Sequence, residues 1–210
     1  LKNLDLKNGD QIIVTDHTYE ACRNTVDYVT KSVGAETIVV EIPFDVKNQK
    51  EVVDIIMNSV SEKTVLALID TVTSPTGMRM PFEEIIRRLE KENIDVLLDA
   101  AHGAGIIDLD LRQINAAYVT GNCHKWLCSP KGSAFLHIRE DKKKNITPLS
   151  ISHGASFTGE AQDKFEFEFA WSGTYDPTPW MCIPKSIQHM EMMVNGGWDE
   201  IIKKNRKLAI

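Results

Sequence analysis

An α/β fold built on a mostly parallel sheet is predicted for this 210-residue chain by two observations. Short β-rich runs alternate with helical periodicities through the first half of the sequence, the pattern of repeated strand–helix–strand units. Several of the runs, Val65-Leu66-Ala67-Leu68-Ile69 and Val96-Leu97-Leu98 among them, are continuously apolar rather than alternating. That suits strands covered by helices on both faces.

Residues 1–10 read as the tail of a helix closing on Asn8-Gly9. Strands are expected at 11–15, 37–41, 64–70, 95–99, 117–120 and 133–138. Helices are expected at 20–33, 47–60 and 82–91, the last with Pro81 placed at its start. From Pro179 a long helical pattern through Ile183, Ile187, Met190, Met193 and Val194 runs to Gly196-Gly197. A further helical pattern over 198–210 halts without a cap. Both ends therefore read as those of an internal piece of a longer chain. Residues 1–178 read as one large domain, and 179–210 as helices leading toward another.

Composition is that of a globular protein, with 42% hydrophobic and 26% charged residues. No apolar run approaches the ~20 residues needed to span a bilayer, so no membrane partner is expected. The net charge of -6 argues against nucleic-acid binding. The one basic run, Lys142-Lys143-Lys144, follows Glu140 and Asp141 and reads as a solvated loop. Cys22, Cys123, Cys128 and Cys182 form no CxxC pair, which points to a reducing, cytoplasmic compartment.

In parallel sheets ligands bind beyond the carboxyl ends of the strands. Beyond the first strand stand Asp16, His17 and Tyr19; beyond the third, Thr73, Ser74, Pro75, Thr76 and Gly77. The fourth closes on Asp99 with His102 just after, and the fifth leads to Asn122, His124 and Lys125. One crevice thus gathers an aromatic, a hydroxyl, a carboxylate with an imidazole, and an amine. A partly desolvated lysine is a nucleophile for an aldehyde, and a buried aspartate can keep a pyridine nitrogen protonated. That combination suits pyridoxal 5'-phosphate.

The segments Asp99-Ala100-Ala101-His102, His124-Lys125-Trp126 with Ser129-Pro130-Lys131-Gly132, and Trp171-Ser172-Gly173-Thr174 resemble the class V aminotransferases. These are fold-type I pyridoxal-phosphate enzymes with an aspartate aminotransferase-like large domain. Thr15-Asp16-His17-Thr18-Tyr19, Ser74-Pro75-Thr76-Gly77 and Gly173-Thr174-Tyr175-Asp176-Pro177 resemble the isopenicillin N epimerase-like branch. The resemblance implies that Lys125 bonds the cofactor aldehyde and moves protons at the substrate Cα. It implies Asp99 at the pyridine nitrogen, His102 and Ser74 near the phenolic oxygen, and Tyr19 stacked on the ring. Asn122 and His124 would approach the phosphate, and Thr174 would reach the phosphate of the neighbouring subunit in a homodimer. An amino acid is the implied substrate, with epimerase, transaminase or lyase outcomes, cysteine desulfhydrase or desulfurase among the last.

Plainer readings stand beside these. Tyr19 could pack on the core, Ser74 could cap a turn, His102 could be a satisfied core histidine and Asn122 could close a strand-end turn. Lys131 reads as a local structural residue, Trp126, Trp171 and Trp180 as core or interface aromatics, and His17 has no assigned role. The family's first phosphate-binding turn and its carboxylate-binding arginine would fall outside this sequence. Different classes of function are a non-catalytic homologue and a metal-dependent hydrolase using Asp99, His102 and His124. His102-Gly103-Ala104-Gly105 makes only a weak dinucleotide signal.

Overall fold

The computed structural model describes residues 1–159 and 161–209. In chain order the elements are β1 (Gln11–Thr15), α1 (Glu20–Val33), β2 (Glu36–Val40), α2 (Gln49–Asn58), β3 (Thr64–Asp70), α3 (Phe82–Lys91), β4 (Asp95–Asp99), β5 (Tyr118–Asn122) and β6 (Ala134–Ile138). Four helices come after the sheet: α4 (Ala161–Ala170), α5 (Thr178–Met181), α6 (Ile183–Met193) and α7 (Gly197–Ala209). The six strands form one sheet in the order β2-β1-β3-β4-β5-β6. Every pairing is parallel except β5 with β6. The α/β class with a mostly parallel sheet is therefore the observed one. No helix among the described residues is long and apolar enough to cross a membrane.

The continuous apolar runs have the expected cause. Successive strand side chains point to opposite faces, and here both faces are covered. Ile13, Ala67, Ile69 and Leu98 pack with Val52, Ile56, Phe82, Ile85 and Leu89 of α2 and α3. Ile12, Val14, Leu66 and Leu68 pack with Val26 of α1 on the other face. Nearly all are fully buried, each worth roughly 1.5–3 kcal/mol relative to exposure.

Several expectations need correction. Residues 1–10 are turns, not a helix tail. Leu1, Leu4 and Leu6 pack against the second core, and the Gly9 N–H donates to the Gly34 carbonyl at 2.9 Å. The Asn8-Gly9 signal therefore marks a turn into β1 rather than a helix stop. The second helix begins later than residue 47 because Asn48 caps it, accepting the Glu51 N–H at 3.1 Å. The Lys142–Lys144 run lies in a 3-10 turn (Glu140–Asn145), with Lys142 paired to Asp95 at 2.6 Å. The long helix expected from Pro179 is split at Cys182, with Pro184 in the first turn of α6. A proline lacks the N–H that would continue the ladder and fits only a first turn. Ile210, the end of the expected terminal helix, lies outside the described residues.

Candidate functional site

The parallel register brings the ends of β1, β3, β4 and β5 to one sheet edge. Asp70 is the direct partner of Asp99, and Asp99 that of Thr120. A cavity of about 240 Å³ opens there, and six of the eight candidate residues line it: Tyr19, Ser74, Asp99, His102, Asn122 and Lys125. The other two lie elsewhere. His124 turns its Nδ1 to the Ser133 carbonyl at 2.7 Å, and Thr174 is exposed in the loop between α4 and α5.

Asp99 is buried at the close of β4. Its Oδ1 accepts the Ala101 N–H at 2.9 Å, and its Oδ2 accepts the Cys22 thiol at 3.5 Å. Opposite stands Lys125, whose Nζ lies 5.9 Å from the Tyr19 ring centroid and 3.1 Å from His102 Nε2. Its loop is tied back to β6: the N–H groups of Cys123 and His124 both donate to the Ser133 carbonyl. The chain after His102 passes so close that a Cβ on Gly105, at φ +95°, would sit 2.8 Å from the Trp126 carbonyl carbon and oxygen. Glycine is needed there on both counts.

Trp126, expected only as a core or interface aromatic, enters the site. Its indole N–H donates to His102 Nδ1 at 3.1 Å. An indole can only donate, so Nδ1 is the accepting atom and the single proton of a neutral imidazole sits on Nε2, where it bonds to Lys125 when that amine is neutral, since an ammonium has no lone pair to accept it. Burial and then the Lys125 charge hold the His102 pKa below its ordinary value, which keeps the ring neutral. Trp126→Phe is expected to let the ring populate both tautomers, read by ¹⁵N chemical shifts of His102. Unchanged shifts would show that the indole does not set the tautomer.

His17 also gains a place. Its Nε2 donates to the Ile42 carbonyl and its Nδ1 accepts the Thr76 hydroxyl, each at 2.8 Å. Thr76 in turn meets Thr73 at 2.7 Å. This clamp fixes the turn that carries Ser74 to the cavity.

Asp70, Cys22 and Thr120 also line the cavity and were not among the candidates. Asp70 had a signal, since it closes β3 as Asp99 closes β4. Cys22 sits on a helix, where strand-end reasoning does not look. Burial, then Asp99, pushes the Asp70 carboxyl up to about 7. Burial and Asp99 likewise push the Cys22 thiol up to about 12, so it is a protonated donor rather than a nucleophile. The hydrolase alternative has no ligand set: no group of three or more His, Cys, Asp or Glu among the described residues is arranged to hold a metal ion.

The aminotransferase class-V family model matches residues 1–210. A probable chloroplastic L-cysteine desulfhydrase of Arabidopsis thaliana is 30% identical over 210 residues, covering 96% of this chain and 43% of that protein. The isopenicillin N epimerase of Streptomyces clavuligerus is 27% identical, covering 88% of this chain and 49% of its own. Among solved structures, the cystine C-S lyase C-DES in complex with its product cysteine persulfide superposes with a TM-score of 0.79 at 25% identity, covering 94% of this chain and 53% of that one. The chain spans about half the length of the relatives it matches. With a match that runs from its first residue to its last, over a sheet that gathers the motif residues at one edge, the chain belongs to the aminotransferase class-V family.

Proposed function

We propose that this chain holds pyridoxal 5'-phosphate in the cavity beside Asp99 and Lys125 and serves a reaction at the Cα of an amino acid. The carrying observation is the placement of a buried carboxylate and an amine in one cavity. The donor set fits the cofactor. Asp99 Oδ2 is engaged by a long thiol contact, which leaves it able to accept a ring N–H. When bound, the cofactor supplies an electron-withdrawing cationic ring that stabilises negative charge at Cα.

The chain's own residues then divide the work. Asp99 holds the proton on the ring nitrogen, a charge-assisted bond in a dry setting. Tyr19 offers its face to the ring. Lys125 anchors the cofactor and moves the Cα proton, with its amine oriented by His102 and, behind that, by Trp126. Ser74 and Asn122 supply polar contacts at the rim, and His124 acts from the adjoining turn. Thr174, exposed on its own loop, reaches across to the second subunit of a homodimer. The compartment is reducing and cytoplasmic, in keeping with four free cysteines.

The substrate class we favour is a sulfur-bearing amino acid of the cysteine type, undergoing C–S cleavage. The desulfhydrase and C-S lyase relatives support it. Epimerisation is the second reading, supported by the isopenicillin N epimerases. Incubation of the full chain and cofactor with L-cysteine is expected to release sulfide, ammonia and a keto acid. A D-epimer without sulfide favours the second reading. No product from any of a panel of L-amino acids contradicts both.

A further inference from the structure

Asp70 has no part in the division of work above, yet it lines the same cavity. β3 and β4 run in parallel register, so the two carboxyls are direct neighbours on one face of the sheet. Asp70 is 3% exposed and Asp99 7%. Asp70 Oδ2 is fully buried with no hydrogen-bond partner among the described residues. An ionised carboxylate with an oxygen in that position would lose its hydration uncompensated. A second negative charge next door compounds the cost. The titratable groups facing Asp70 are Asp99 from β4, Cys22 from α1 and Lys125 from the turn after β5, with His102 and Tyr19 on the same cavity wall. The Thr18 hydroxyl, the Asp70 backbone N–H and Lys125 favour its ionised form, and burial and Asp99 outweigh them.

We propose that Asp70 is a positioning residue that holds a proton beside Asp99, so that the cavity offers a cationic ring nitrogen one carboxylate charge and not two. The inference rests on the pyridoxal-phosphate reading. The cofactor's phosphate carries about −1.5 to −2 charges, which outweigh one ring cation. A second ionised carboxyl therefore repels the ligand as a whole, and burial by the ring removes the water that an Asp70 carboxylate needs. Cofactor affinity is accordingly highest while Asp70 is neutral and falls as it ionises. Folding stability has the same sign. A carboxyl with a raised pKa contributes fully at acid pH and loses that contribution as pH climbs through about 7.

The test compares the full chain with its Asp70→Asn variant, which keeps the shape and neutrality of the protonated acid. Two quantities are tracked across pH: the infrared carbonyl band of buried carboxylic acid, and the dissociation constant for pyridoxal phosphate. The wild type is expected to show a band at neutral pH that Asp70→Asn lacks and that fades as pH rises through about 7. Over the same range its affinity should fall severalfold relative to the variant. A band that is absent, or that persists in Asp70→Asn, overturns the proposal, as do affinities that run parallel through that range. If neither protein binds the cofactor at any pH, the functional reading fails and takes the ring role with it. The infrared band then still decides whether Asp70 holds the proton.

Discussion

Lys125→Ala is expected to abolish turnover while leaving the fold intact. The Nζ contacts are His102 and the Tyr19 ring, and neither belongs to the sheet cores. Truncation should therefore cost no more than about 1 kcal/mol, the size of one net hydrogen bond. On the proposed reading the chemical loss is far larger, because the variant lacks both the anchoring amine and the group that moves the Cα proton. General acid–base catalysis alone contributes on the order of 10²–10⁴-fold. Steady-state rates set beside a urea unfolding midpoint separate the two effects. A midpoint that collapses with the rate would mean that Lys125 is structural. The variant also bears on Asp70: Lys125 favours the ionised carboxyl, so its removal should move the Asp70 step to higher pH.

The second large effect is expected from Asp99→Asn. The amide can still accept the Ala101 N–H through its oxygen, so the strand end should keep its shape. On the proposed reading the loss is that of the buried charge facing the ring nitrogen. Removing one partner of a buried pair costs roughly 3–5 kcal/mol, which is on the order of 10²-fold or more in cofactor affinity. Fluorescence titration with pyridoxal phosphate measures this. An affinity within a few-fold of wild type would contradict the role. An internal control comes from Cys22, whose thiol is held up by burial and Asp99. Its alkylation should accelerate in the variant, because the thiolate forms at lower pH.

Much of this arrangement was legible in the residues themselves. Continuous apolar runs in β3 and β4 signalled the two-sided parallel sheet, and the residues at and just beyond the strand ends include six that line the cavity. Lys125 and Asp99 were legible because a strand end fixes where its neighbours go. Trp126 was not, because its contact with His102 depends on how two loops fold against each other. Gly105 allows that approach, and its sequence context signals only a turn. His17 likewise meets Ile42 and Thr76 through tertiary placement. The α4 helix had no helical signal: Phe165, Phe167 and Phe169 repeat with period two. Its aromatics pair with one another instead, Phe167 stacked on Phe157 and Phe165 tilted against Phe169. The turn at Asn8-Gly9 carries the residues of a helix stop, and only the strand after it distinguishes the two.

The most direct test of the account is where the cofactor attaches. The full chain would be loaded with pyridoxal phosphate, reduced with borohydride and digested, and the modified peptide sequenced by mass spectrometry. The expected result is a single reduced cofactor adduct on Lys125, with loss of the visible absorption band. An adduct on Lys131 or a surface lysine, or a band that survives in Lys125→Ala, would contradict it.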